Sequence, residues 1–372
     1  MFLIICLFIS TIKHKHKKLK TPVTINGDQG YYTAGNKIYS NGKEVMMSGV
    51  NWFGFETDTF CPHGLWARNY KDMMNQIKNS GFNSIRLPFS NEMFLKGKTS
   101  KGIDFNMNPE LKGLNPLSIM DLIMNYAQKI GLKIILDRHR PDSKGQSSLW
   151  YSQSCSETQW VADLVMLAKR YKGNQALIGF DLHNEPHDDA CWGCNNKYKD
   201  WKMAATLAGN AILKANPGIL IVVEGIQVYQ GNWYWWGGNL MGVKDSKIIL
   251  DVPNKVVYST HDYPNSVSWQ AYFDQSNYPK NLDSIWDKFW GYIVKDKIAP
   301  VLIGEFGSKL IDSKDKAWFN TLINYIKVNK LSYTFWSWNP NSGDTNGLLK
   351  DDWKTIDSNK LAALKSIQYP LI

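Results

Sequence analysis

The sequence predicts an α/β chain that closes into a single (β/α)8 barrel of the TIM type. Short apolar runs recur eight times with segments of helical period between several of them, and the runs end on polar or aromatic residues. The runs are Val45–Val50, Ser84–Leu87, Ile134–Leu136, Ile178–Leu182, Ile219–Val223, Val256–Ser259, Val301–Ile303 and Tyr333–Trp336. They lack strict alternation, as expected of strands covered on both faces of a parallel sheet. Helical period marks Tyr70–Ser80, closing at Gly81, and Leu117–Ile130, closing at Gly131. It also marks Thr158–Tyr171, with Gly173 just beyond, and Asp200–Ala215, followed by Pro217-Gly218. An open doubly wound sheet is the rival, but no Gly-x-Gly-x-x-Gly loop follows the first run. Gly237-Gly238 lies in a tryptophan-rich stretch and opens no such helix.

At 372 residues the chain accommodates one barrel domain, expected over 21–372. No Pro/Ser-rich linker divides it and no separate carbohydrate-binding module is visible. Residues 1–20 read as a leader: Met1 to Ile9 is almost wholly apolar, like the core of a secretory signal, and too short to span a bilayer. A basic cluster follows it instead of preceding it. The net charge of +10 invites a nucleic-acid reading, yet half of the excess sits in Lys13, Lys15, Lys17, Lys18 and Lys20. The body is only mildly basic and carries no nucleic-acid motif, so nucleic acid is not expected as a partner. Stable membrane insertion is not expected either, and the chain reads as a secreted monomer.

Cys6 falls in the leader, which leaves Cys61, Cys155, Cys191 and Cys194, an even set that permits three pairings. Cys191-x-x-Cys194 has no second pair at ligand spacing, against structural zinc, and no thioredoxin-like context, against a redox motif. The favoured reading is two structural disulfides, Cys61–Cys155 and Cys191–Cys194.

Catalytic groups of such barrels come from the C-terminal ends of the strands. Those ends supply Asn51-Trp52, Arg86, Asp137-Arg138-His139, His183-Asn184-Glu185, Glu224, His261-Asp262-Tyr263, Glu305 and Trp336. Any one of these is unremarkable as a loop charge or packed ring; the whole set is difficult to explain structurally. Glu185 follows the fourth run and Glu305 the seventh, so a barrel brings them face to face across its mouth. Two carboxyl groups sharing a cleft suit glycoside hydrolysis, one donating a proton to the leaving oxygen and the other attacking or activating water. Asn184 is placed to hydrogen-bond a sugar hydroxyl, and Arg86 and Tyr263 to hold Glu305 ionised. His139 and His261 would orient hydroxyls or carboxylates, while His63, His183 and His187 read equally well as structural. The 16 Trp and 18 Tyr mostly serve the core, with a surplus available to stack on sugar rings, among them Trp52, Trp235, Trp236 and Trp336.

The motifs Ile85-Arg86-Leu87-Pro88, Leu136-Asp137-Arg138-His139, His183-Asn184-Glu185-Pro186, Tyr258-Ser259-Thr260-His261-Asp262-Tyr263 and Ile303-Gly304-Glu305-Phe306-Gly307, in this order, resemble glycoside hydrolase family 5. Asn51-Trp52-Phe53-Gly54-Phe55-Glu56-Thr57, Ala190-Cys191-Trp192-Gly193-Cys194 and Tyr234-Trp235-Trp236-Gly237-Gly238 are similar to its endo-β-1,4-glucanase branch of actinobacterial type. The resemblance implies a retaining mechanism without metal or organic cofactor, acting on β-glucan. It makes Glu185 the acid/base and Glu305 the nucleophile. Arg86, His139, Asn184, His261, Tyr263 and Trp336 fill the remaining site positions. Alternatives are a β-mannanase or other β-glycanase on the same scaffold, and a carbohydrate-binding protein without catalysis. A serine hydrolase is set aside, since no Gly-x-Ser-x-Gly elbow occurs.

Overall fold

The computed structural model describes residues 30–372, so the leader expected at 1–20 lies outside the described residues. A small antiparallel sheet opens the fold, with β1 (Tyr31–Ala34), β2 (Lys37–Ser40) and β3 (Lys43–Val45) in sequential order. Eight parallel strands then close on themselves: β4 (Ser48–Asn51), β5 (Ser84–Ser90), β6 (Lys133–Arg140), β7 (Leu177–Asp181), β8 (Leu220–Glu224), β11 (Val256–His261), β12 (Val301–Glu305) and β13 (Ser332–Phe335). A two-stranded hairpin, β9 (Val228–Tyr229) with β10 (Asn232–Trp233), projects between the fifth and sixth barrel strands. Each predicted run falls on a barrel strand. The first is split, Val45 ending the small sheet and the barrel strand starting at Ser48.

The helices start and stop where side chains can satisfy their free backbone groups. In α1 (Tyr70–Asn79) Asn69 caps Lys71 N–H, in α2 (Pro116–Ile130) Asn115 caps Ser118 N–H, and in α3 (Glu157–Arg170) Ser156 caps Gln159 N–H. Asp200 caps α4 (Trp201–Ala215) through Met203 N–H. The same carboxylate accepts from Gly193 N–H and Asn195 N–H at 2.9 Å each, ordering the loop that the Cys191–Cys194 disulfide closes. Gly131 ends α2 with φ 81°, a left-handed backbone that favours glycine. The later helices are α5 (Gly242–Asp245), α6 (Leu282–Trp286), α7 (Tyr292–Lys295), α8 (Ser313–Asn329) and α9 (Ser358–Lys365).

Alternation along the barrel strands sorts two cores. Ile134, Leu136, Ile221, Val223 and Ile303 join the large shell between sheet and helices. Ile135, Ile178, Leu220, Val222, Val257 and Leu302 form a separate cluster with Tyr31, Ile38 and Met47. The second cluster is the lower interior of the barrel, and the β1–β3 sheet supplies the side chains that cap it. Half of the 16 tryptophans are fully buried in the core: Trp52, Trp150, Trp160, Trp201, Trp286, Trp290, Trp318 and Trp338.

One predicted disulfide is absent. Cys61 and Cys155 are both free and buried. Cys61 Sγ donates to Lys101 O at 3.2 Å, whereas Cys155 lies before α3 with its Sγ 3.8 Å from Ser156 O. An even count satisfies parity, but a bridge also needs Cα atoms within about 7 Å, and these two thiols pack against different loops.

Candidate active site

Alternation carries the inward positions of the lower core upward into polar groups: Ile135 leads to Asp137 and His139, Val222 to Glu224, and Val257 to Ser259 and His261. At the centre stands Arg86, fully buried within β5. Its Nε donates to Asp181 Oδ2 at 3.0 Å, and its Nη1 to Glu305 Oε1 at 2.7 Å and Asn51 Oδ1 at 3.0 Å. Nη2 donates to Asn184 Oδ1 at 2.9 Å and Glu224 Oε1 at 3.1 Å, and lies 3.2 Å from Asp137 Oδ2. Burial alone would penalise the guanidinium, but these carboxylates outweigh it and raise its pKa well above the usual value. Burial in turn lifts Asp137 to about 6 and Asp181 to about 7 against the Arg86 charge.

Glu305 closes β12 and receives Arg86 Nη1 on one oxygen and Tyr263 Oη at 2.6 Å on the other. Burial holds its carboxyl above the usual carboxylate range, against the charges of His261 and Arg86 that pull it down. Burial and the charge of Glu305 hold Tyr263 well above its ordinary pKa, so it remains an O–H donor. Glu185 follows β7 with φ 52°, a left-handed conformation uncommon for a residue with a Cβ. Its Oε1 accepts from His261 Nδ1 at 2.9 Å, its Oε2 from Gln146 Nε2 at 3.3 Å, and its N–H donates to Glu224 Oε2 at 2.8 Å. Burial would raise Glu185, but the hydrogen bond and charge of His261 outweigh it and leave the carboxyl low. Burial also works against a charged His261, yet Glu224, Glu305 and Glu185 lift it well above the usual imidazole range. Glu185 and His261 therefore form a carboxylate–imidazolium couple that shares one proton. An oxygen of Glu185, an oxygen of Glu305 and a nitrogen of His261 lie within 4.8 Å of one another. Such a trio can ligate a cation, but Glu305 already has Arg86 and Tyr263 on its oxygens, and a positive guanidinium beside it disfavours a metal.

His139 donates from Nδ1 to Asp137 Oδ2 at 2.6 Å, and burial keeps its pKa well below the usual value, so the ring is neutral. Trp336 neighbours His139 and Phe53, with ring centroids 5.6 and 5.3 Å away and nearly parallel planes. Its Nε1 donates to Ser342 Oγ at 3.1 Å. Trp235 is buried, donates to Tyr272 Oη at 2.9 Å and sets its ring edge against Tyr263. Trp236 is 39% exposed and stacks on His187 at 3.8 Å.

The structure corrects one substrate-binding expectation. Trp52 is fully buried, with Nε1 donating to His63 O at 3.0 Å, so it offers no face to a ligand. His183 is structural, its Nδ1 2.8 Å from Arg138 Nη1. Asp262 is also structural: it accepts from Trp286 Nε1 at 3.0 Å, Trp318 Nε1 at 2.5 Å and the Tyr234 hydroxyl. Sequence reasoning assigned no role to Asp137, Asp181, Glu224 or Gln146, although Asp137 and Glu224 stand at strand ends where a signal could be read.

Residues 38–342 match the model for cellulase, glycosyl hydrolase family 5. An endoglucanase of Paenibacillus polymyxa is 51% identical over 361 residues, covering 95% of this chain and 91% of that protein. The major extracellular endoglucanase of Xanthomonas campestris is 40% identical, covering 89% of this chain and 69% of its own length. Among solved structures, the hyperthermophilic endocellulase of the archaeon Pyrococcus horikoshii superposes with a TM-score of 0.87 at 41% identity, covering 92% of this chain and 100% of that one. A complex of that endocellulase with cellotetraose superposes with a TM-score of 0.86 at 41% identity, over 91% of this chain and 99% of that one. With the family model spanning the barrel and the Paenibacillus relative matching nearly end to end, this chain belongs to the cellulase family, glycosyl hydrolase family 5.

Proposed function

We propose that this chain is an endo-acting β-1,4-glucanase that retains anomeric configuration, with Glu305 as nucleophile and Glu185 as acid/base. The observation that carries the reading is the pair of carboxyl oxygens within 4.8 Å across the barrel mouth. A separation near ~5 Å suits direct attack and leaves no room for the intervening water that inversion needs. The assignment of roles follows from the neighbours. Glu305 meets only donors in Arg86 and Tyr263, which favours its ionised form. Glu185 shares a proton with His261 and is the more open of the two, with 12% of its side chain exposed against 4%.

In the first step a Glu305 oxygen bonds to the anomeric carbon. The glycosidic C–O bond breaks, and the leaving oxygen takes the proton carried by the Glu185–His261 couple. In the second step the Glu185 carboxylate removes a proton from water, whose oxygen bonds to the anomeric carbon as the ester to Glu305 breaks. Asn184, oriented by Arg86, hydrogen-bonds the sugar beside the reacting carbon, and the exposed Trp236 offers a ring for stacking.

The endo mode is tested by comparing loss of viscosity with release of reducing ends on carboxymethyl-cellulose and on galactomannan. A steep viscosity drop on the former is expected; a preference for galactomannan would make the chain a mannanase instead. Secretion as a monomer is part of this proposal. The secretion is supported by the Cys191–Cys194 disulfide and the extracellular Xanthomonas relative. Detection of the protein only in the cell fraction of its host would refute the secretion.

A further inference from the structure

Glu224 ends β8 fully buried, out of reach of substrate, yet it touches each part of the acid/base apparatus. Its Oε2 accepts the Glu185 backbone N–H at 2.8 Å. Its Oε1 lies 3.2 Å from His261 Nε2, the imidazole whose other nitrogen donates to the Glu185 carboxylate. The same oxygen accepts from Arg86 Nη2 at 3.1 Å. Glu185 needs such support, because a left-handed backbone is strained for a residue with a Cβ and persists only where its surroundings hold it. The Glu185 carbonyl is also held, by His187 Nδ1 at 2.5 Å. Gly237 presses on this arrangement from above. A Cβ there would lie 2.1 Å from Glu224 Oε2 and 3.1 Å from Glu185 Cα, so glycine is required where these two residues meet.

We propose that Glu224 is a positioning residue for acid catalysis: it pins the Glu185 peptide in its left-handed conformation and orients His261, so that the Glu185 carboxyl faces the leaving oxygen. This rests on the reading of Glu185 as the acid/base. Glu224 acts on proton delivery, not on attack by Glu305, and the two demands can be separated chemically. A sugar alkoxide leaves only when protonated, whereas 2,4-dinitrophenolate leaves without a proton.

The test compares Glu224→Ala with wild type on cellopentaose and on 2,4-dinitrophenyl β-cellobioside. Misplacing the acid should lower kcat/KM on cellopentaose by about 10²-fold and on the activated substrate by much less. Because Glu185 also activates water, kcat and KM on the activated substrate should fall together as glycosyl-enzyme accumulates, and azide should restore kcat. Glu224→Gln retains an oxygen for the Glu185 N–H and should recover most of the loss on cellopentaose. An equal fall in kcat/KM on both substrates, or no fall on cellopentaose, overturns the proposal. If Glu224→Ala does not fold, Gly237→Ala is read in its place. It displaces the same carboxylate and should show the same selective loss, and a uniform loss again overturns the idea. Glu185→Ala run in parallel isolates the underlying assignment: equal loss on both substrates there means that Glu185 is not the acid, whatever Glu224 does.

Discussion

The lower and upper halves of the barrel interior are built from the same strands, a few residues apart, and they solve opposite problems. Below, Ile135, Leu220, Val222, Val257 and Leu302 close a dry cluster under the β1–β3 sheet. Above, the same strands carry Asp137, Glu224, His261 and Glu305, gathered round Arg86. The lower half gains stability from apolar burial. In the upper half, burial disfavours each charge and only mutual pairing offsets the cost. Stability and chemistry are thus stacked along one axis, and substitutions in the two halves should fail in different ways.

The largest effect should come from the upper half. Glu305→Ala should lower turnover of cello-oligosaccharides by roughly 10⁴-fold or more while the melting temperature changes little. Azide should rescue it through a glycosyl azide of inverted anomeric configuration, and near-normal turnover without azide would remove Glu305 from the mechanism. The reverse pattern is expected below. Leu220→Ala should cost about 2–5 kcal/mol of stability in a denaturant titration and leave turnover at low temperature nearly intact. A large loss of activity there would break the separation.

A pH effect sharpens it further. Burial lifts Asp262 from 3.8 to about 7. The folded state therefore holds the proton more tightly, and this contribution to stability is complete below about pH 4 and lost as pH rises through about 7. Asp262→Asn should flatten the decline in unfolding free energy between those pH values, and an unchanged slope would contradict the burial argument. The smallest effect concerns the thiols. Among the described residues reduction opens only the short Cys191–Cys194 loop and should cost at most about 2 kcal/mol. Mass shift with an alkylating agent in denaturant should report Cys61 and Cys155 as free before any reductant is added.

Most of the upper half was legible before folding, because a strand that ends in a charged residue advertises it in the linear sequence. His261, Tyr263 and Glu305 stand at or beside such ends, while Arg86 lies within β5 as a lone charge in an apolar run. Trp52 was misread for the same reason: it follows β4 where a ligand-facing residue could stand, but its indole turns inward to His63 O. The β1–β3 sheet left little trace, since each strand has only three or four residues, half of them polar. Its role depends on Tyr31 and Ile38 meeting Leu302 and Val257, contacts far apart in the chain.

By itself, then, the sequence determined the eightfold strand–helix order, the glycine stops of the early helices and the two carboxyl groups that meet at the barrel mouth, since these rest on local periodicity and on which residue follows which run. Only the tertiary structure decided that Cys61 and Cys155 stay apart, that Trp52 belongs to the core, and that Glu224 sits behind Glu185 and His261. Those outcomes depend on distances and directions between distant segments, which closure of the barrel sets and no local pattern encodes.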